Sequence, residues 1–272
     1  MIDLHLHTTA SDGMLPAAAL VARAASSGLT TISVTDHDTT AGLEEAGLAA
    51  SAAGLSLVSG IEITAVEKGQ DIHVLGYFFD PADARLGEFL RAQRADRVRR
   101  VHAICERLLA LGCEIDAGPL IAQSAGGGRS VGRPHVADAL VAAGHAVDRT
   151  DAFDRLIGRG RPAFVARTGA SPIEVISIIR RAGGVASLAH PGLTARDDLL
   201  PDLAAAGLGA LEAVHSDHDR VTEAHYRRLA GQHGLAISGG SDFHGDGGRH
   251  PFALGMVALP APDFAALQAC VS

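Results

Sequence analysis

Histidine and carboxylate recur in this chain at short, ordered spacings. One residue separates His5 from His7, Asp36 abuts His37, and one residue separates Asp242 from His244. Each group closes a short apolar or β-branched run. Asp36 follows TISVT and Glu62 comes just after LVSG; His190 follows VASLA, His215 follows LEAV and Asp242 follows ISGGS. Residues i and i+2 of an extended strand project to the same side, so both imidazoles of His5-Leu6-His7 can reach one cation. Imidazole and carboxylate without thiolate suit Mn²⁺, Fe²⁺ or Zn²⁺, and a carboxylate such as Glu62 can bridge two ions. Two ions about 3.5–4 Å apart serve in-line displacement at phosphorus. A lone histidine is more often a surface or hydrogen-bonded residue, and His102, His145, His225, His233 and His250 are read that way. Repetition at strand end after strand end is what that reading leaves unexplained. Burying so many ionisable groups in one mouth is costly without a cation to compensate them.

The elements that must position these groups alternate. Met1–Leu4, Thr31–Thr35, Leu55–Ser59, Val185–Leu188, Ala210–Val214, Ala236–Ser238 and Gly255–Leu259 read as strands, and Ile63–Val66 with His73–Phe78 as a hairpin. Pro16–Ser27, Leu43–Ala53, Leu86–Leu111, Leu199–Ala205, Val221–His233 and a short segment after Pro262 read as helices. Such alternation predicts an α/β architecture with parallel strands, closed or nearly closed into a barrel. Catalytic groups of α/β barrels gather at the C-terminal strand ends, which places the scattered histidines in one mouth. The stretch from Cys113 to Arg167 breaks the rhythm. It holds helical patches near Pro134–Ala143 and Ala152–Ile157, with no clear strand before Phe164. It reads as an inserted subdomain, 113–167, in a barrel of 1–112 and 168–272, and could be a lid.

Composition narrows the class further. With 4% aromatics among 47% hydrophobic residues, the core must be built from Ala, Val, Leu and Ile. No apolar run approaches the ~18 residues of a membrane span, and the N-terminus lacks the pattern of a secretory signal. Cys105, Cys113 and Cys270 show no paired spacing, so reduced cytoplasm is the expected setting. The net charge of −8 argues against broad adhesion to nucleic acid but not against a local basic pocket. No stable protein partner is evident.

Five ordered signatures then resemble a known family: His5-Leu6-His7, Thr35-Asp36-His37-Asp38, Gly60-Ile61-Glu62, Ala189-His190-Pro191 and Gly240-Ser241-Asp242-Phe243-His244. Together they look like the PHP (polymerase and histidinol phosphatase) superfamily over essentially the whole chain. Gly132-Arg133-Pro134-His135 and Gly158-Arg159-Gly160-Arg161-Pro162 resemble its nucleoside 3′,5′-bisphosphate phosphatases and 5′→3′ exoribonucleases. The resemblance implies a distorted (β/α)7 TIM-like barrel with two or three divalent ions, Mn²⁺ foremost. It implies that His5, His7, Glu62 and Asp242 hold one ion. Glu62 would share a second with His73 and His190, and Asp12, His37 and His244 would hold a third. Asp36 and Asp38 are read as partners that orient imidazoles.

The expected substrate is a small phosphorylated nucleotide or short RNA, hydrolysed by metal-activated hydroxide. Arg97 and Arg100 share a helix face with Arg94, and the resemblance favours Arg97 and Arg100 as phosphate contacts over a plain solvated stripe. Arg133 and His135 are further candidates, with Arg129 and Arg161 weaker. Asp242, His244 and His215 are the candidate catalytic groups, and the general acid stays open between His215, His244 and a bound water. Two alternatives remain: a phosphatase for another metabolite such as histidinol phosphate, and a non-catalytic metal-binding accessory module.

Overall fold

A computed structural model describes residues 1–247 and 250–271. Seven strands form one sheet in chain order: β1 Ile2–Leu6, β2 Thr31–Val34, β3 Ser56–Glu67, β4 Gln70–Tyr77, β5 Val185–Leu188, β6 Ala210–His215 and β7 Ala236–Gly240. The first three run parallel, as do the last three; β4 alone is antiparallel, to both β3 and β5. The ring closes just beyond β7. Asp242 N donates to His5 O at 2.9 Å, His7 N donates to Phe243 O at 3.0 Å, and Leu6 bridges Phe243 in parallel. The result is a nearly closed seven-stranded barrel with helices around it, the distorted TIM-like architecture expected.

Three strand expectations are corrected. Leu55–Ser59 and Ile63–Val66 are not separate pieces; both lie in the twelve-residue β3. Gly60 marks close packing, not a break: a Cβ there would collide with Ser33 Oγ and meet Val34 O at 2.7 Å. Gly255–Leu259 forms turns instead of a strand. Left-handed backbone at Gly255 (φ 78°) opens the segment with a turn, and Leu259 N donates to Ile2 O at 2.8 Å at its end. Phe164 likewise begins no strand.

Helices α1 Ala17–Ser26, α2 Leu43–Ala53 and α3 Ala84–Ala110 cover the first half of the barrel. Then come α4 Gly118–Gly127, α5 Arg133–Ala142, α6 Arg149–Ala152 and a π-turn, Phe153–Ile157. The second half carries α7 Pro172–Arg181, α8 Pro191–Thr194, α9 Leu200–Ala205, α10 Arg220–His233 and α11 Ala261–Gln268. Carboxylate caps start three of them: Asp83 accepts from Leu86 N on α3, Asp148 from Asp151 N on α6 and Asp219 from Thr222 N on α10. Helix α7 escaped the sequence reading despite a capping box, in which Ser171 and Glu174 satisfy each other's backbone N–H.

The 27 residues of α3, about 40 Å long, join two cores. Leu86 and Leu90 pack in the barrel's aliphatic core. Val101, Ile104 and Leu108 pack instead with Val131, Val136, Leu140, Ile157 and Ala163. The core of the 113–167 segment thus draws on residues before 113. Its short helices have too little apolar surface to bury alone, and the far half of α3 supplies the missing face. This second unit is called the cap below.

Candidate metal centre and active site

The barrel mouth assembles the ligand-type residues from both ends of the chain. His5 lies in β1 and His7 just after it, Glu62 lies midway along β3, and Asp242 follows β7. Nε2 of His5 lies 3.4 Å from both Glu62 Oε2 and Asp242 Oδ1; Nε2 of His7 lies 3.2 and 3.3 Å from the same two oxygens. The other oxygen of Glu62, Oε1, is 2.6 Å from His73 Nδ1 and 3.1 Å from His190 Nε2. Because β4 is antiparallel, the half containing His73 lies beside the outgoing end of β3, where it pairs with Thr64. Asp12 faces His37 Nε2 at 3.8 Å and His244 Nε2 at 3.4 Å. His7, Asp12, His37 and His244 form one compact donor group, His5, His7 and Asp242 a second, and His37, Glu62 and His73 a third.

Surrounding groups aim these donors. Glu212 Oε1 accepts from His5 Nδ1 at 2.9 Å, and its Oε2 accepts from His190 N at 2.6 Å. His244 Nδ1 lies 2.8 Å from Asp242 O, so donation there leaves Nε2 with its lone pair toward Asp12. Asp36 accepts from Thr8 N, Thr8 Oγ1 and Ser11 Oγ, and Ser11 Oγ lies 3.3 Å from His7 Nδ1. Asp36 therefore reaches an imidazole through Ser11. Asp38 corrects its expectation: it accepts from Arg97 Nε at 2.5 Å, from Thr64 N at 3.0 Å and from Arg167 at 3.3 and 3.4 Å. It pins the His37 loop to arginines. Asp242 and His190 take left-handed backbone, at φ 54° and 27°, a strain found where tertiary contacts force a side chain into place.

The electrostatics fit divalent cations. Nε2 of His5 and His7, Asp12 Oδ1, His37 Nδ1 and His190 Nδ1 are buried without a hydrogen-bond partner. Leaving so many buried polar atoms unmatched is costly unless something else satisfies them. Burial raises the carboxyls of Glu62, Asp12 and Asp242, yet the imidazoles around them hold all three well below the usual range. Burial also lowers His7, but Asp242 and Glu62 outweigh it and hold the imidazole up at about 10. Burial dominates at His37 and pushes it down to about 3. Neighbouring imidazoles driven in opposite directions reflect burial competing with nearby carboxylates, and the donor set is suited to metal ions.

Above these donors opens a cavity of about 520 Å³ lined by Asp12, His37, Glu62, His73, His190, Asp242 and His244, with Pro134, Arg149, Thr150, Phe153 and Asp154 of the cap opposite. Two of the four expected phosphate contacts, Arg97 and His135, are engaged elsewhere. Arg97 spends its guanidinium on Asp38, Thr64 Oγ1 and Val131 O and is 9% exposed, so it is a buried tie and not a ligand of the cavity. His135 accepts from Gly132 N through Nδ1 at 3.1 Å and lines a separate small cavity, which makes it a helix-start bond for α5. Arg100 and Arg133 face Asp71 at 3.7 and 3.5 Å, two residues before His73. His215 accepts from Asp217 N at Nδ1, so its proton sits on Nε2, 3.6 Å from Asp242 Oδ2.

The sequence reading missed Glu212, Asp71, Arg167 and the cap residues Arg149 and Phe153. Glu212 had a signal: a charge inside the apolar run Ala210-Leu211-Glu212-Ala213-Val214 must be buried and therefore paired.

Comparison with known proteins agrees with this geometry. The PHP domain family matches residues 3–145. A 3′,5′-nucleoside bisphosphate phosphatase from Chromobacterium violaceum is 33% identical over 91% of this chain and 89% of its own length. A 5′–3′ exoribonuclease from Escherichia coli is 36% identical over 89% of this chain and 84% of its own. A phosphoribosyl 1,2-cyclic phosphate 1,2-diphosphodiesterase from Eggerthella lenta is 33% identical over 92% and 96%. Among solved structures, an inferred metal-dependent phosphoesterase from Bifidobacterium adolescentis superposes with a TM-score of 0.90 at 35% identity, covering 100% of this chain and 96% of that one. A barrel mouth lined with convergent imidazoles and carboxylates, a family model spanning half the chain and relatives that are all phosphoester hydrolases lead to one assignment: this chain belongs to the PHP family and is a metal-dependent phosphoesterase.

Proposed function

We propose that the enzyme hydrolyses a phosphate ester of a nucleotide, either a nucleoside 3′,5′-bisphosphate or the 5′ end of short RNA. The observation that carries this reading is the two-walled cavity, in which the donor set lies beneath a cap large enough to enclose a nucleotide. The names of the Chromobacterium and Escherichia relatives support it.

In this reading His5, His7, Glu62 and Asp242 hold one ion, Glu62, His73 and His190 a second, and Asp12, His37 and His244 a third, with Mn²⁺ as the native metal. Bound ions supply an acidified water and neutralise charge on the phosphoryl oxygens. The protein's own groups do the rest. Glu212 and Asp242 O set the tautomers of His5 and His244, and Asp36 steadies His7 through Ser11. His215 directs its Nε2 proton toward Asp242 and serves to position that carboxylate. Arg97, Arg100, Arg133 and Arg167 outnumber Asp38 and Asp71, so the flank beside His73 is net positive and attracts an anionic ester. Arg100 and Arg133 are the proposed phosphate contacts; Arg100 Nη2 is buried without a hydrogen-bond partner. The three free cysteines accord with the proposed cytoplasmic setting, and among the described residues no helix is long and apolar enough to cross a membrane.

The test is an assay of the Mn²⁺-loaded protein against 3′-phosphoadenosine 5′-phosphate, a short 5′-phosphorylated RNA, histidinol phosphate and a ribose 1,2-cyclic phosphate. Turnover of either nucleotide substrate supports the reading. Turnover confined to the last two compounds would overturn it.

A further inference from the structure

The two walls of the cavity are chemically unlike. One is imidazole and carboxylate; the other is the cap's Pro134, Arg149, Thr150, Phe153 and Asp154. The guanidinium on the cap side is already engaged. Arg149 grips Asp138 through two bonds of 2.5 and 2.7 Å. Arg133 lies over two rings, its guanidinium carbon 5.6 Å from the centroid of Phe153 and 5.8 Å from that of Phe164, so a base would take the other face of Phe153. With Arg149 so engaged, the cap wall that lines the cavity is poorly equipped as a second phosphate clamp. It offers the cavity an aromatic ring and a proline ring, with the polar groups of Thr150 and Asp154 beside them.

The local backbone accounts for this. Helix α6 passes directly into the π-turn Phe153–Ile157. A π-turn inserts an extra residue and shifts the helix face that follows, a device frequent at functional sites. Here Leu156 and Ile157 are driven into the second core, at 8% and 0% exposure, while Phe153 stays half-buried at the cavity and Asp154 exposed beside it. Aromatics make up only 4% of the chain and none is tryptophan, so a ring held at this wall is not a by-product of an aromatic-rich core.

We infer that Phe153 is a stacking platform for the base of the nucleotide, with Pro134 as the adjoining apolar contact. The inference rests on the nucleotide reading above and extends it. An aromatic face accepts any base, so the subsite selects for the presence of a base and not for its identity. The charged end of the substrate is left to the donor set and to Arg100 and Arg133 on its flank.

The test compares ligands that differ only by the base, using metal-loaded protein. Calorimetry measures binding of AMP and of ribose 5-phosphate, and kinetics measures turnover of 3′-phosphoadenosine 5′-phosphate and of ribose 3,5-bisphosphate. The wild type should prefer the base-containing member of each pair by about 10- to 100-fold, as expected for one stacked base. Phe153→Leu keeps an apolar side chain for the second core and should bring both ratios close to one; Phe153→Trp should preserve them. Unchanged ratios in Phe153→Leu, or equal affinities in the wild type, overturn the inference while the nucleotide reading stands. Failure of the wild type to hydrolyse both 3′-phosphoadenosine 5′-phosphate and a short 5′-phosphorylated RNA removes the nucleotide reading and this inference with it.

Discussion

Replacing Asp38 by Asn should destabilise the fold by about 3–5 kcal/mol at pH 7, the range for breaking a buried ion pair from one side. Asp38 is fully buried and accepts from Arg97 and Arg167, themselves 9% and 6% exposed. The amide leaves two buried guanidinium groups facing one another with no carboxylate between them. The pH dependence gives an independent magnitude. Burial alone would raise the Asp38 carboxyl, but Arg97, Arg167 and the Thr64 N–H outweigh it and bring it from 3.8 down to about 2. A depression of nearly two units corresponds to about 2 kcal/mol. Because the folded value lies below the unfolded one, that contribution is fully present above pH ~4 and disappears as pH falls toward 2. The assay is urea unfolding of wild type and Asp38→Asn, with metal removed from both, between pH 7 and pH 2.5. The difference between the two curves should shrink by about 2 kcal/mol across the acid limb. A cost below about 1 kcal/mol at pH 7, or a difference that does not vary with pH, would refute the argument. The same pair tests the reassignment of Arg97. Arg97→Met should couple strongly to Asp38→Asn in a double-mutant cycle, whereas a phosphate contact would show in KM without such coupling.

Three further outcomes follow from the site. Glu212→Gln places an amide NH₂ or a single oxygen where Glu212 now accepts from both His5 and His190 N, so metal affinity should fall about 10- to 100-fold in a competition titration with a chelator. Chelation should abolish hydrolysis and lower the unfolding temperature, and Mn²⁺ should restore both; an ion at a hundred times its dissociation constant contributes about 2.7 kcal/mol. Gly60→Ala should cost about 1–3 kcal/mol by urea unfolding, because its Cβ must enter Ser33 and the backbone of Val34; a neutral substitution there would show that β2 and β3 can separate without penalty.

Much of the site was legible before any tertiary contact was known. His5, His7, Asp36, His37, Glu62, His190 and Asp242 each follow a strand-forming run, and parallel strands of a barrel deliver their ends to one mouth. Residue type and local period carry that information, because strand direction and side-chain alternation are local properties. The arginines show where local information stops. The i, i+3 spacing places Arg97 and Arg100 on one face of α3, but it does not say what that face meets. Asp38 meets Arg97 across 59 positions and Arg167 across 129, and Glu212 meets His5 across 207. Those separations are spanned only when the barrel closes and the cap folds over α3. The role of an ionic group depends on what lies within a few ångströms of it and on how far water is excluded. From the sequence alone, the imidazole and carboxylate chemistry of the donor set and the end of the barrel that carries it could be read. The tertiary structure decided which charges serve the fold, which face the cavity, and that the Phe153 ring shares the cavity with the donor set.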